Sequence, residues 1–418
     1  MFGEIITIGN ELTSGRELDL NSRYAARALL DAGLKVTRIT SVGDDYDMVT
    51  DVLKRAIKKS RFVIVTGGLG STDDDITSEI VAQALNRPLV LDEPMIRLIK
   101  SRLADLGMEM TPSLEKLARI PEGSRVLNPG GNCSGFCLEE EGVCLYFLPG
   151  VPAQMSYLME KVVMPEILSR YAQLPVVRQR ILKLFGINES SIAEIFKKMD
   201  KKTGDVEFGF YPNFPENHIT MTLKGDDVSV VERELNRIEK QVRRYFDPYL
   251  FASGNQEMEE VVGAGLSAKK MTLSIAESCT GGLIGDRLTN VPGSSNYFLG
   301  GVVAYSNDSK VYFLGVSPET LEKHGAVSHE TVGEMAQGIR KNIKADLGLA
   351  VTGIAGPGGG TKEKPVGTVY IGLAAGNEIF SEKYRFWGKR KHIKVNTSMM
   401  AMDWIRRYLN GDPFLSGV

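Results

Sequence analysis

From Glu4 to about Leu158 short apolar runs alternate with longer amphipathic stretches, and that alternation admits few folds. EIITIG reads as a buried strand, LNSRYAARALLDAG as a helix ended by Gly33, KVTRITSVG as a strand, MVTDVLKRAIKKS as a helix and FVIVTGG as a strand. Strands that are apolar throughout and separated by helices belong to a mostly parallel sheet covered on both faces. Near GFCLEEEGVCLYFLPG the rhythm changes to two strands around an acidic Glu-Gly turn, which predicts an antiparallel hairpin added to the sheet.

A chain of 418 residues is too long for one ordinary core, and the α/β pattern divides it into three regions. Residues 1–170 form the first three-layer α/β domain. Residues 175–252 read strand, helix, strand, strand, helix through RQRILKLFGI, ESSIAEIFKKMD, VEFGFYP, HITMTLKG and SVVERELNRIEKQVRRYF, the order of a small split α/β module. DPYLFASGNQ, with Pro248, Gly254 and no periodicity, reads as a linker. Residues 256–412 predict a second three-layer α/β domain with a substantial antiparallel share.

Fifty basic against 52 acidic residues leave a net charge of -2, so no long-range field draws the protein to nucleic acid. No run approaches the ~18 apolar residues of a spanning helix, and MFGEIITIGNE does not resemble a signal peptide. Cys133, Cys137, Cys144 and Cys279 show no zinc spacing, and a reducing cytoplasm is the expected setting.

Chemistry concentrates in glycine-rich turns. VIVTGGLGSTDDDIT follows an apolar strand and precedes a helix, where backbone N–H groups can meet phosphate. Three carboxylates there, Asp73, Asp74 and Asp75, would repel a phosphate unless a divalent cation stood between; the competing reading is a helix cap. IGNELTSG offers Glu11, and LPGVPAQM adds a turn that Pro149 and Pro152 would hold as a rigid loop.

In AESCTGGLIGDRLTNVPGSS, Ser278 ends a strand and Gly281 and Gly282 open a helix. A hydroxyl at such a turn is exposed, beside helix N–H groups able to hold an oxyanion or a phosphate. No His lies near, since His324 and His329 fall in what reads as a connecting loop. Lys310, in GGVVAYSNDSK, can replace His as base if burial lowers its pKa, with Tyr305 relaying or orienting the proton. An exposed helical Lys is the commoner case. VTGIAGPGGGTKEKPVGTVY is a long glycine-rich loop after a strand, and Arg390 in WGKRKH could meet a phosphate bidentately. Met399, Met400 and Met402 read as core.

GNELTSG, TGGLGSTDDDIT and LPGVPAQM resemble the molybdopterin-binding fold, in the version that opens the competence/damage-inducible CinA family. NPGGNCSGF resembles a further family segment, and the sequence departs from the family pattern at Asn10, Ser71 and Cys133-Ser134. AESCTGG, PGSS, YSNDSK, HGAVS, TGIAGPGGG and KPVGTVY resemble the family's carboxy-terminal domain, which also occurs alone as nicotinamide mononucleotide deamidase. The resemblance implies hydrolysis of nicotinamide mononucleotide to nicotinate mononucleotide and ammonia, without a cofactor. It further implies a divalent-metal-dependent ADP-ribose pyrophosphatase in the amino-terminal domain, and a homodimer. Carried over by position, Ser278 is the nucleophile with Ser295 as the alternative, and Tyr305 and Lys310 are the base apparatus. Glu277, Thr280, Gly281, Gly282, Gly353, Ala355, Gly356 and Arg390 would contact substrate. Glu11, Thr66, Gly67, Gly68, Gly70, Thr72, Thr77 and Gly150 would bind the second nucleotide, with metal on Asp74 or Asp75. Two alternatives stand beside this reading: a deamidase whose first domain only binds, and a non-enzymatic partner in DNA uptake or repair.

Overall fold

The computed structural model describes residues 2–128, 135–171, 175–199 and 204–415. The chain divides into two compact units, Met1–Arg178 with Leu223–Glu232 and Gln179–Thr222 with Arg233–Val418. No helix among the described residues is long and apolar enough to cross a membrane.

The first unit carries β1 (Phe2–Ile8), β2 (Lys35–Val42), β3 (Phe62–Thr66), β4 (Leu89–Leu91), β5 (Arg119–Pro121), β6 (Arg125–Val126), β7 (Phe136–Glu140) and β8 (Val143–Leu148). Six of them form one sheet in the order β2-β1-β3-β8-β7-β6, while β4 and β5 pair separately. β2, β1, β3 and β8 run parallel, and β7 and β6 are antiparallel additions. The hairpin between β7 and β8 turns on Glu141 and Gly142, both at positive φ as a two-residue hairpin turn requires. The apolar runs lack alternation because both faces are covered. Ile6 and Ile8 of β1 pack with Val52, Leu53 and Ala56 of the helix Tyr46–Lys59. Ile5 packs on the other side with Ala25 and Leu29 of the helix Leu20–Asp31.

The predicted small module holds β9 (Val176–Leu184), β10 (Glu207–Asn213), β11 (Glu216–Gly225) and β12 (Leu250–Ser253), in the order β10-β11-β9-β12. Its fourth strand corrects the sequence reading: LFAS is not linker but pairs antiparallel with β9, with Leu250, Phe251 and Ala252 buried. Four residues buried on both sides give no period to read.

The carboxy-terminal sheet comprises β13 (Leu273–Glu277), β14 (Phe298–Val303), β15 (Leu347–Gly353), β16 (Thr368–Ala375) and β17 (Glu378–Arg385), in the order β14-β13-β15-β16-β17. β14, β13 and β15 are parallel; β16 and β17 are antiparallel. One face packs on the helix Arg390–Asn410, whose Met399, Met400, Met402 and Trp404 are buried core. The other packs on the helix His329–Ile343 through Val332, Met335, Ala336 and Ile339. His324 and His329 therefore lie in helices, the last residue of Pro318–His324 and the first of His329–Ile343, rather than in the connecting loop expected.

Candidate active site

β13 and β14 run parallel with Glu277 opposite Val303, so the residues that follow each strand emerge side by side. Ser278 follows β13, its N–H donating to Val351 O at 3.1 Å. After β14 the chain passes Ala304 and Tyr305 into the helix Asn307–Leu314, capped by the Ser306 hydroxyl. Lys310 lies in that helix and turns inward, only 1% exposed. Its Nζ is 3.2 Å from Ser278 Oγ and donates to the carbonyls of Ala304 at 2.9 Å and Tyr305 at 3.2 Å. Burial depresses the Lys310 pKa below its ordinary value, with the Cys279 thiol opposing. Among the described residues no carboxylate pairs with this buried amine, so no ion pair offsets that depression.

Gly281 and Gly282 adopt positive φ and return the chain into the helix Leu283–Thr289. An L side chain at either would be strained. The same turn explains Glu277. Its buried carboxylate accepts from the N–H groups of Gly282 at 3.0 Å, Ile284 at 3.1 Å and Gly285 at 2.8 Å. Glu277 thus caps the helix that follows and occupies amides that could otherwise meet an anion. The amides of Cys279 and Thr280 are not among those Glu277 engages. Thr280 is fully buried, and its hydroxyl has no hydrogen-bond partner among the described residues.

Arg390 opens the helix Arg390–Asn410 and is exposed, yet its guanidinium is tied down. Its Nη1 donates to Gly356 O and its Nη2 to the Tyr305 hydroxyl, both at 2.8 Å, which fastens the glycine-rich loop and the tyrosine to the helix Arg390–Asn410. The Tyr305 phenol therefore meets Arg390, while only its backbone carbonyl meets Lys310. Gly353 ends β15 opposite Val369, and Ala355 is buried. Ser295 is exposed in the short turn Ser294–Asn296, and no hydrogen bond joins it to Ser278 or Lys310 among the described residues. Sequence reasoning missed Lys394, whose Nζ lies 3.6 Å from where a Cβ on Gly281 would sit. The signal available was the basic run KRKHIK at a helix start without an acid.

In the first unit a cavity of about 880 Å³ opens at the carboxyl ends of the parallel strands, the place where open α/β sheets bind ligands. Three quoted turns line it together: Glu11, then Gly67, Gly68, Gly70, Thr72, Asp74 and Asp75, then Gly150. Thr66 and Thr77 stand behind this wall. Thr66 Oγ1 donates to Pro149 O at 2.8 Å, and Thr77 Oγ1 donates to Gly67 O at 3.0 Å. Pro152 opens the helix Pro152–Leu158 rather than holding a loop. Asp75 Oδ2 accepts from the Thr72 N–H at 2.9 Å and from its hydroxyl at 2.6 Å. Asp44, which sequence reasoning passed over, also lines the cavity and accepts from the Asn10 N–H at 2.9 Å. Burial raises its pKa against that bond, helped by the charges of Glu11, Asp74 and Asp75. Among the described residues no group of three or more His, Cys, Asp or Glu side chains is placed to hold a metal ion. Asp44 and Asp74 nevertheless suit a hard cation that takes one or two carboxylates and completes its shell with phosphate oxygens and water. Cys133 and Ser134 lie outside the described residues, and Cys137, Cys144 and Cys279 are free and buried.

Comparison with known sequences matches residues 4–169 to a family described as "Probable molybdopterin binding domain", 179–252 to "Damage-inducible protein CinA KH domain" and 255–409 to "CinA C-terminal domain". A CinA-like protein of Desulfotalea psychrophila is 40% identical over 98% of this chain and 99% of its own. One from Syntrophus aciditrophicus is 41% identical over 97% of each. Among solved structures, the competence/damage inducible protein CihA from Agrobacterium tumefaciens is 40% identical, covering 37% of this chain and 93% of that one, with a TM-score of 0.36.

Proposed function

The chain belongs to the CinA family, and from that premise we propose that its carboxy-terminal domain hydrolyses the carboxamide of nicotinamide mononucleotide to nicotinate mononucleotide and ammonia. The observation that carries this reading is the buried Lys310 amine 3.2 Å from Ser278 Oγ. A neutral amine has two hydrogens and one lone pair. The carbonyls of Ala304 and Tyr305 accept the hydrogens, and the lone pair is left for the Ser278 hydroxyl proton.

As Ser278 Oγ attacks the amide carbon, Lys310 takes the hydroxyl proton. The oxyanion meets the amides that follow Ser278. On collapse the C–N bond breaks, Lys310 returns its proton to the leaving nitrogen, and ammonia departs from a nicotinoyl ester on Ser278. Water activated by Lys310 then adds to the ester, releasing the acid and restoring the serine. Arg390 and Tyr305 are positioning residues, the guanidinium tying the Gly356 carbonyl to the Tyr305 phenol.

The base must be uncharged, so kcat/KM for ammonia release is expected to rise with pH and level off with an apparent pKa below the ordinary lysine value of 10.5. A profile still rising at that value would mean that the depressed Lys310 is not the base.

For the first unit we propose a metal-dependent ADP-ribose pyrophosphatase, supported by the acidic cavity at the strand ends. The bound cation would neutralise the pyrophosphate and polarise the scissile bond. The chain's part is to hold the cation with Asp44 and Asp74, and to present the Gly67–Gly70 turn to the phosphates. Chelation with EDTA and Asp74→Ala are each expected to lower ADP-ribose hydrolysis by about 100-fold or more, leaving ammonia release unchanged. No ADP-ribose hydrolysis by the folded protein with added Mg²⁺ or Mn²⁺ would leave the domain a binding module.

A further inference from the structure

Arg390, the cation that the sequence suggests for a phosphate, has both ends of its guanidinium engaged by the Gly356 carbonyl and the Tyr305 hydroxyl. The unengaged cation of this site is Lys394. It is half-buried, and among the described residues no carboxylate or carbonyl pairs with it. Its Nζ stands against Gly281, at one end of the turn whose other end is Ser278. A Cβ at Gly281 would meet that Nζ at 3.6 Å, an ordinary contact, so the glycine answers to its positive φ while Lys394 packs against the turn. The first turn of the helix Arg390–Asn410 carries no acidic residue and has no side-chain cap, and Lys394 adds its charge one turn in from that positive end. An arrangement of that kind is stabilised when an anion occupies it.

We propose that Lys394 anchors the phosphate of the mononucleotide and sets the enzyme's preference for the nucleotide over the unphosphorylated nucleoside, while Arg390 is a strut. The proposal rests on the deamidase reading above. A lysine ammonium is a compact point charge suited to a phosphate dianion. Placed at the far end of the nucleophile's own turn, it binds a part of the substrate that does not react, leaving the carboxamide to Ser278.

Steady-state ammonia release by the full chain, with nicotinamide mononucleotide and with nicotinamide riboside, tests this. Lys394→Met is expected to raise KM for the mononucleotide about 10- to 100-fold, the worth of one charge-assisted hydrogen bond, with kcat within about threefold. On the riboside, wild type and variant are expected to match. Lys394→Arg is expected to restore most of the mononucleotide affinity, and inhibition by inorganic phosphate is expected to weaken in Lys394→Met alone. An equal loss on both substrates, or an unchanged KM for the mononucleotide, overturns the assignment. Equilibrium binding of the two compounds by calorimetry separates the two claims. A wild-type protein that releases no ammonia defeats the deamidase reading. Lys394 is still supported if Lys394→Met selectively weakens the mononucleotide, and refuted if it does not.

Discussion

Ser278→Ala and Lys310→Met are each expected to lower kcat for ammonia release by about 10⁴-fold, and the double variant by no more than either alone. The two residues act as one device. Oγ without a base remains a protonated, weak nucleophile, and the base without Oγ has nothing to deprotonate. A multiplicative double variant would mean that the 3.2 Å contact is structural. Lys310→Met keeps most of the buried volume and leaves the carbonyls of Ala304 and Tyr305 without their donor, so some stability is lost too. Circular dichroism on each variant distinguishes lost chemistry from lost fold. Ser295→Ala is expected to retain activity, in keeping with its exposed position apart from this hydrogen-bonded pair.

Glu277→Ala should destabilise the carboxy-terminal domain by about 3 kcal/mol or more, because three N–H groups at a buried turn lose one shared acceptor. In a thermal scan this corresponds to a fall of roughly 6–12 °C for the transition of that domain. Activity should fall as well, since the Glu277 cap fixes the glycine turn that carries Ser278. Glu277→Gln retains one acceptor oxygen and should lie between wild type and Ala. A raised KM with unchanged melting temperature would instead make Glu277 the substrate contact expected from its sequence position.

The pairing of Ser278 with Lys310 was legible because two neighbouring parallel strands bring the residues after their carboxyl ends together, and each strand reads clearly as an apolar run. The α/β alternation of the first domain was legible for the same reason, since strands buried on both faces need no context to declare themselves. β12 was not, because a four-residue strand gains its identity from β9, more than 60 residues earlier. The capping role of Glu277 was not legible because the positive φ values of Gly281 and Gly282, which fold three amides back onto it, depend on the whole turn. Arg390 and Lys394 could not be told apart within one basic run; only the bonds to Gly356 and to the phenol of Tyr305 distinguish Arg390. Asp44 escaped notice because its partners, Asn10 and the acidic turn, lie on other strands' ends.

The most direct test of the central claim is ammonia release from nicotinamide mononucleotide by the folded wild-type chain at mildly alkaline pH, followed together with nicotinate mononucleotide by mass spectrometry. The Ser278–Lys310 account predicts the two products in equal amounts and their loss in Ser278→Ala. Absence of both products from folded wild-type protein, or their persistence in Ser278→Ala, would contradict it.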